Sequence, residues 1–235
     1  LLPSIALASG SVSAYEKLEP PHDYDRVAQE IVSTLENVHY NKTLIDDEIS
    51  EQAFDNYLDA LDPSRSFLLQ EDIDRLSKYR DAFDDALRNG NSQVAYDIYN
   101  VYLERADTRL EKVLAEIPSM VKGFDYSVDE SLNIDPDKLA WATNQEQLDD
   151  YWRKRIKNRA LTLKLNGEEQ QEIIEAIERR YKSQLKQIDQ TNATDVFQSF
   201  ANSVTAVLDP HTTYFAPRRL PSISACPTIR APDMP

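Results

Sequence analysis

Glycine is scarce in this chain, at 4 of 235 residues, where an average protein carries roughly 7%. Sandwiches, barrels and glycine-rich phosphate loops need many positive-φ positions, so the shortage argues against all three. Cysteine is rarer still. Cys226 has no partner for an internal disulfide and cannot build a cysteine-based metal cluster. The three histidines, His22, His39 and His211, are far apart. None is paired with another at i, i+4 and there is no HExxH pattern, so a zinc helix has no support. No metal and no cofactor is expected. A GxSxG nucleophile elbow is also missing. Basic residues are outnumbered, 26 Lys+Arg against 41 Asp+Glu, for a net charge of −15. Phosphate affinity comes from Lys and Arg, so nucleic acid and anionic membrane surfaces are unpromising partners. Beyond the first residues, no stretch reaches the roughly 20 apolar residues of a membrane span.

What is present is helical periodicity. Val27, Ile31, Leu35 and Val38 form a stripe over Tyr24–Tyr40, with Asp23 or Asp25 available as a cap. Ile49, Ala53, Phe54, Tyr57, Leu58 and Leu61 do the same over Asp46–Leu61, where Asp62-Pro63-Ser64 is a stop. A third helix is expected over Gln70–Arg88, ended by Asn89-Gly90. A fourth spans Ser92–Ile117 and closes at Pro118. Residues Ser119–Thr143 break the pattern into a long acidic connector, with room for a turn of helix near Pro136–Ala140. Helices over Gln145–Leu165, capped by Asn144, over Glu168–Asp189 and from Thr194 onward complete the set. The expectation is an all-α bundle of about seven helices, whose stripes are core.

Both ends differ from the middle. Leu1–Ala14 is mostly apolar and closes on Val12-Ser13-Ala14, with small residues where a signal peptidase cuts. It reads as a signal-peptide remnant or as a frayed start, and the first reading makes the mature chain an exported, periplasmic one. Residues Arg218–Pro235 are rich in Pro and Ser and have no periodicity. They read as a natural disordered tail or as out-of-frame translation, and the abrupt change favours the second. The domain between them is expected to cover residues 15–217.

Little in that domain suggests chemistry. Its carboxylates are abundant enough that an acid–base pair could be chosen anywhere. The basic run Arg153, Lys154, Arg155, Lys157, Arg159 reads as a solvated face or as ion-pair partners within the molecule. Asn41-Lys42-Thr43 and Asn192-Ala193-Thr194 match a glycosylation pattern that is common by chance. One stretch stands out: Leu208-Asp209-Pro210-His211-Thr212-Thr213-Tyr214-Phe215-Ala216-Pro217. Proline pushes Asp209 out of the α region, and the Asp209 carboxylate can take amides two or three residues on. Tyr214 and Phe215 would then anchor the chain as it leaves the helix.

As a pattern, this stretch resembles the junction found in the tail-specific protease branch of the carboxyl-terminal processing peptidases. Phe54–Asp62 with Phe67-Leu68-Leu69, then Leu148–Trp152 with Leu161–Leu165, then Glu178–Lys182 with Gln190–Asn192 and Asp195–Phe197, are further landmarks in family order. The resemblance implies the N-terminal helical domain of a periplasmic serine protease that trims proteins from exposed apolar C-termini. In that family a PDZ domain captures the tail and a Ser–Lys dyad cuts. Neither matches anything here, so no catalytic residue is assigned, and Asp209, Pro210, His211, Thr212 and Tyr214 mark the junction only. Implied partners are the PDZ and protease body of the same polypeptide, protein substrates with unstructured C-termini, and an adaptor protein. Stripes that would meet the body are expected to promote self-association. An alternative is a stand-alone periplasmic helical module that binds peptide or protein; an independent hydrolase is a third.

Overall fold

Three of the expected helix starts are set by side chains next to them. Asp46 accepts from the Ile49 amide at 3.2 Å and opens α2 (Asp47–Leu61). Asn144 accepts from Gln147 at 2.9 Å and opens α6 (Gln145–Leu165). Asn192 accepts from Thr194 and Asp195, whose carboxylate takes the Asn192 amide in return, and α8 (Ala193–Leu208) follows. Such short polar side chains satisfy amides that the first turn leaves without partners. The remaining helices are α1 (Tyr24–Asn37), α3 (Gln70–Leu76), α4 (Phe83–Arg88), α5 (Gln93–Gly123) and α7 (Gln170–Asp189). The computed structural model describes residues 15–39, 43–135 and 138–216. The signal-peptide reading of Leu1–Ala14, the Asn41 acceptor, the first residues of the Pro136 turn, and the tail with Cys226 lie outside those residues.

Among the described residues the chain is all-α as expected, with eight helices rather than about seven and a single parallel bridge, Leu69 to Ala142, in place of any strand. The extra helix comes from the third segment. A 3₁₀ turn, Ser77–Tyr79, follows α3, and α4 starts afresh at Phe83. The Ser77 hydroxyl donates to the Asp74 carbonyl at 2.7 Å, which competes with the helical ladder. The new start is capped from a distance: Ser50 Oγ on α2 accepts from the Asp84 amide and donates to its carboxylate, both at 2.8 Å.

Two further expectations need correction. Pro118 does not close the fourth helix, and α5 runs through it to Gly123. Proline removes one ladder bond, but Ile117 and Val121 on either side are buried in the core, which offsets that loss. At the other end of the bundle, α1 stops at Asn37, so Val38 leaves the predicted stripe and is 76% exposed. Asp23 does occupy the N-cap position of α1, though its side chain makes no capping bond.

The helices pack α2 on α8, α5 on α7, and α6 against both α5 and α7, with α1 across α4 and α8. Two aromatic clusters form the core. Phe83 meets Phe200 edge-on at 4.8 Å and Tyr57 at 6.0 Å. Trp152 lies 5.7 Å from Phe67 and 5.3 Å from Tyr181. Such pairs add about 0.5–1.5 kcal/mol each beyond the area they bury.

The turn after α2 connects the clusters. Asp62 is fully buried and accepts from the amides of Ser66, Phe67 and Leu68 at 2.8, 2.8 and 3.0 Å. The Ser66 carbonyl in turn accepts from the Trp152 indole at 2.6 Å. Arg65 takes a left-handed φ of 47° there, and its guanidinium holds the Leu139 carbonyl and lies over Trp141. That contact, with the Gln70 amide on the Ala142 carbonyl, lays the connector back over the α2–α3 turn.

Candidate functional site

The last turn of α8 ends on Leu208, which is buried, and the chain leaves at Asp209. Asp209 is extended, φ −162° and ψ 123°, as a residue before proline must be. Its carboxylate accepts from the His211 amide at 3.1 Å and from the Thr212 hydroxyl at 2.9 Å. Its carbonyl accepts from the Thr212 amide at 3.0 Å. The His211 amide and then the Thr212 hydroxyl hold the Asp209 carboxyl below the usual carboxylate range.

A residue from the other end of the domain completes the turn. His39, just past α1, places Nε2 at 3.0 Å from Thr212 Oγ1 and 4.0 Å from the Asp209 carboxylate. The single hydroxyl hydrogen of Thr212 points at Asp209, so the ring nitrogen is the donor to Thr212. His211 and Pro210 themselves face solvent. The structure thus gathers Asp209, Thr212 and His39, and leaves His211 with only its backbone in the turn.

Past the turn the chain runs back along α8. Asn202 Oδ1 accepts from the Tyr214 amide at 2.7 Å, and its Nδ2 donates to the Tyr214 carbonyl at 3.2 Å. Gln198, one turn earlier, accepts from the Ala216 amide at 2.9 Å. Four helical residues rise about 6.0 Å and two extended residues about 6.6 Å, so the two spacings match. The Tyr214 ring packs edge-on against Phe197 at 5.7 Å. It also closes a cavity of about 270 Å³ against α1, beside Val27, Ile31 and Leu35. Burial pushes its phenol up, and its hydroxyl has no hydrogen-bond partner among the described residues. Phe215, expected to anchor alongside it, is 76% exposed. Successive side chains of an extended segment point to opposite sides, so burying Tyr214 turns Phe215 outward.

Sequence reasoning found the turn but missed His39, Asn202 and Gln198. The signal for the last two was available: a pair of side-chain amides at i, i+4 on the last helix before the turn. Nothing local could have pointed to His39, which lies 173 positions from Thr212.

The basic run on α6 divides in two. Arg153 pairs with Glu130 and Asp150, Lys154 with Asp150, and Lys157 with Glu130. The Arg153 and then the Lys157 contacts hold Glu130 down at about 2. Asp149 binds Arg109 and Lys112; burial pushes it up, but the two cations overcome that and hold it at about 2. Asn192 of the second glycosylation pattern is engaged in capping α8. Among the described residues, no group of His, Cys, Asp or Glu is arranged to hold a metal ion. No helix among them is long and apolar enough to cross a membrane. The arrangement fixes where the chain leaves the bundle.

Residues 31–218 match the family described as the tail specific protease N-terminal domain. Over 191 residues the chain is 33% identical to a tail-specific protease of Haemophilus influenzae, covering 81% of this chain. It spans about a quarter, 27%, of that relative's length.

Proposed function

The chain belongs to the family of tail-specific protease N-terminal domains, and from that membership we propose that it serves as the structural and regulatory domain of a periplasmic C-terminal processing serine endopeptidase. The protease as a whole would degrade or trim proteins from exposed, apolar C-termini. Peptide-bond cleavage would belong to a PDZ and Ser–Lys body joined to this domain, and no residue here is given a catalytic role. The domain would cover residues 15–217, with export directed by a signal peptide ending near Ala14.

The observation that carries this reading is the exit segment. A chain merely ending after α8 would have no need of Asn202 and Gln198 clamping residues 214–216 against the helix. A domain that hands its chain to a neighbour needs a fixed exit direction. Val38, Leu44 and Phe215 are large, apolar and exposed, and Val38 and Phe215 lie within a few residues of the His39–Thr212 contact. They are suited to meeting an adjoining body.

A graft tests the proposal. The Haemophilus influenzae relative, with its own N-terminal domain replaced by residues 15–217 of this chain, is compared with the same protease lacking that domain. The readout is cleavage of a reporter protein bearing an unstructured apolar tail. The graft is expected to restore tail-dependent cleavage, while this chain alone cleaves nothing. A graft no more active than the bare body would defeat the proposal.

A further inference from the structure

Twelve arginines lie among the described residues, and nine of them form ion pairs. The three without one, Arg155, Arg159 and Arg180, all line one cavity of about 380 Å³. No carboxylate of a described residue lines it, in a chain that carries 41 of them. Arg155 and Arg159 stand one turn apart on α6, and Arg180 faces them from α7. Like charges at that spacing on a helix work against stability. The surrounding acids could have neutralised the cluster, as they do for Arg153 and Lys157 on the same helix.

The cavity is also shaped. Arg155 lies over the Trp152 ring at 5.3 Å, which fixes the guanidinium plane. Tyr181 lines the cavity as well; burial pushes its phenol up, and the charges of Arg155 and Arg180 oppose that. The connector contributes Leu132, Ile134 and Leu139 to the lining. Ile134 is 75% exposed. The lining thus combines three guanidinium groups with three apolar side chains of the connector.

We infer that this cavity is a docking site for an acidic peptide segment of another protein, bound extended, with two carboxylates on Arg155, Arg159 and Arg180 and an apolar residue on the connector wall. Guanidinium groups take carboxylates through paired N–H bonds. Carboxylates two residues apart in an extended chain are about 6.6 Å apart, close to the 6.0 Å rise between Arg155 and Arg159. The residue between them points the other way, toward Ile134. A recessed opening flanked by the connector suits a single chain better than a flat lipid surface. This inference rests on the described residues alone and goes beyond the part proposed within the protease.

The test uses the whole chain and a labelled peptide of sequence Gly-Glu-Leu-Glu-Gly, blocked at both ends, followed by fluorescence anisotropy. Saturable binding is expected, weakened at least tenfold by Arg159→Gln with Arg180→Gln, and at least tenfold when the peptide carries Gln for both Glu. Both arginines are exposed and form no ion pair, so the variant should keep its far-UV circular dichroism and melting temperature. A charge-reversed Arg159→Glu, Arg180→Glu chain should prefer the matching lysine peptide. Three results would overturn the inference: no binding up to millimolar peptide, binding indifferent to the arginine changes in a folded variant, or binding indifferent to the loss of the two carboxylates. Arginine-dependent capture by phosphatidylglycerol vesicles without peptide binding would overturn it too, in favour of a lipid surface.

Discussion

Asn202→Ala is the most direct perturbation of the exit segment. The Asn202 side chain makes two bonds to the backbone of Tyr214, at 2.7 and 3.2 Å. Each contributes about 0.5–1.5 kcal/mol net, so together they hold the segment by about 1–3 kcal/mol. Converted at about 1.4 kcal/mol per factor of ten, that is a shift of about 5- to 150-fold in the local docking equilibrium. The Gln198–Ala216 bond and the Tyr214–Phe197 contact remain, so the bundle itself should stand. Amide hydrogen exchange reads this out residue by residue. Protection at Tyr214 and Ala216 should fall by that factor, while Phe54 and Tyr57 in the α2 core keep theirs. Chymotryptic cleavage after the exposed Phe215 should quicken in parallel. Asn202→Asp keeps the acceptor, loses the donor, and should show about half the effect. Unchanged protection at Tyr214 would refute the clamp. An equal loss of protection throughout the core would show that Asn202 supports the whole fold instead.

Three other outcomes are expected. Asp62→Ala strips the acceptor from three buried amides, which should cost about 3–5 kcal/mol and lower the melting temperature by about 10 °C; a drop below about 3 °C in a calorimetric scan would contradict that. Gly90→Ala should destabilise by about 2–3 kcal/mol in denaturant titration, because φ is +70° and the added methyl would stand 2.8 Å from the Asp25 carbonyl oxygen of α1. Acid should unfold the chain through its ion pairs. Glu130 and Asp149 are held at about 2 in the folded state, so their contribution is complete above the ordinary carboxylate range and is lost as pH falls from about 4.5 to 2. Glu130→Gln with Asp149→Asn should flatten that limb of the stability curve by about two protons, and an unchanged slope would mean that other carboxylates govern it.

The helices were readable because their causes are local. A stripe at helical spacing, an asparagine or aspartate before it, and a glycine or proline after it all lie within a few residues of one another. The failures have distant causes. The break after Leu76 depends on Ser50, a residue of α2, capping Asp84 across 34 positions. The continuation of α5 through Pro118 depends on what buries Ile117 and Val121. In the site, the Asp209-Pro210 turn was legible from two residues. The partners that turn it into an anchored exit come from α8 and from the far end of α1, and no spacing rule reaches those. The unpaired arginines were visible only once the paired ones could be subtracted.

The family landmarks show why weak local signals become specific together. Phe67, Trp152 and Tyr181 come from three separate landmarks and meet in one cluster. Asn192 and Phe197 belong to the third, and one caps α8 while the other receives Tyr214. Two of the landmarks also repeat one device. Asp62-Pro63 and Asp209-Pro210 each end a helix, and in each the aspartate turns its carboxylate on groups further along the chain. The Asp-Pro pair is the same, yet the environments differ. Asp62 is fully buried, and burial pushes its carboxyl up even as three amides pull it down. Asp209 is half-buried, and there the His211 amide and the Thr212 hydroxyl hold its carboxyl low. The first turn folds the chain back into the core, to meet Trp152. The second leads it out along α8. What separates a structural stop from an exit is where the backbone after the proline is tied: in the first turn to the buried Asp62 and the Trp152 indole, in the second to the Asn202 and Gln198 side chains along α8.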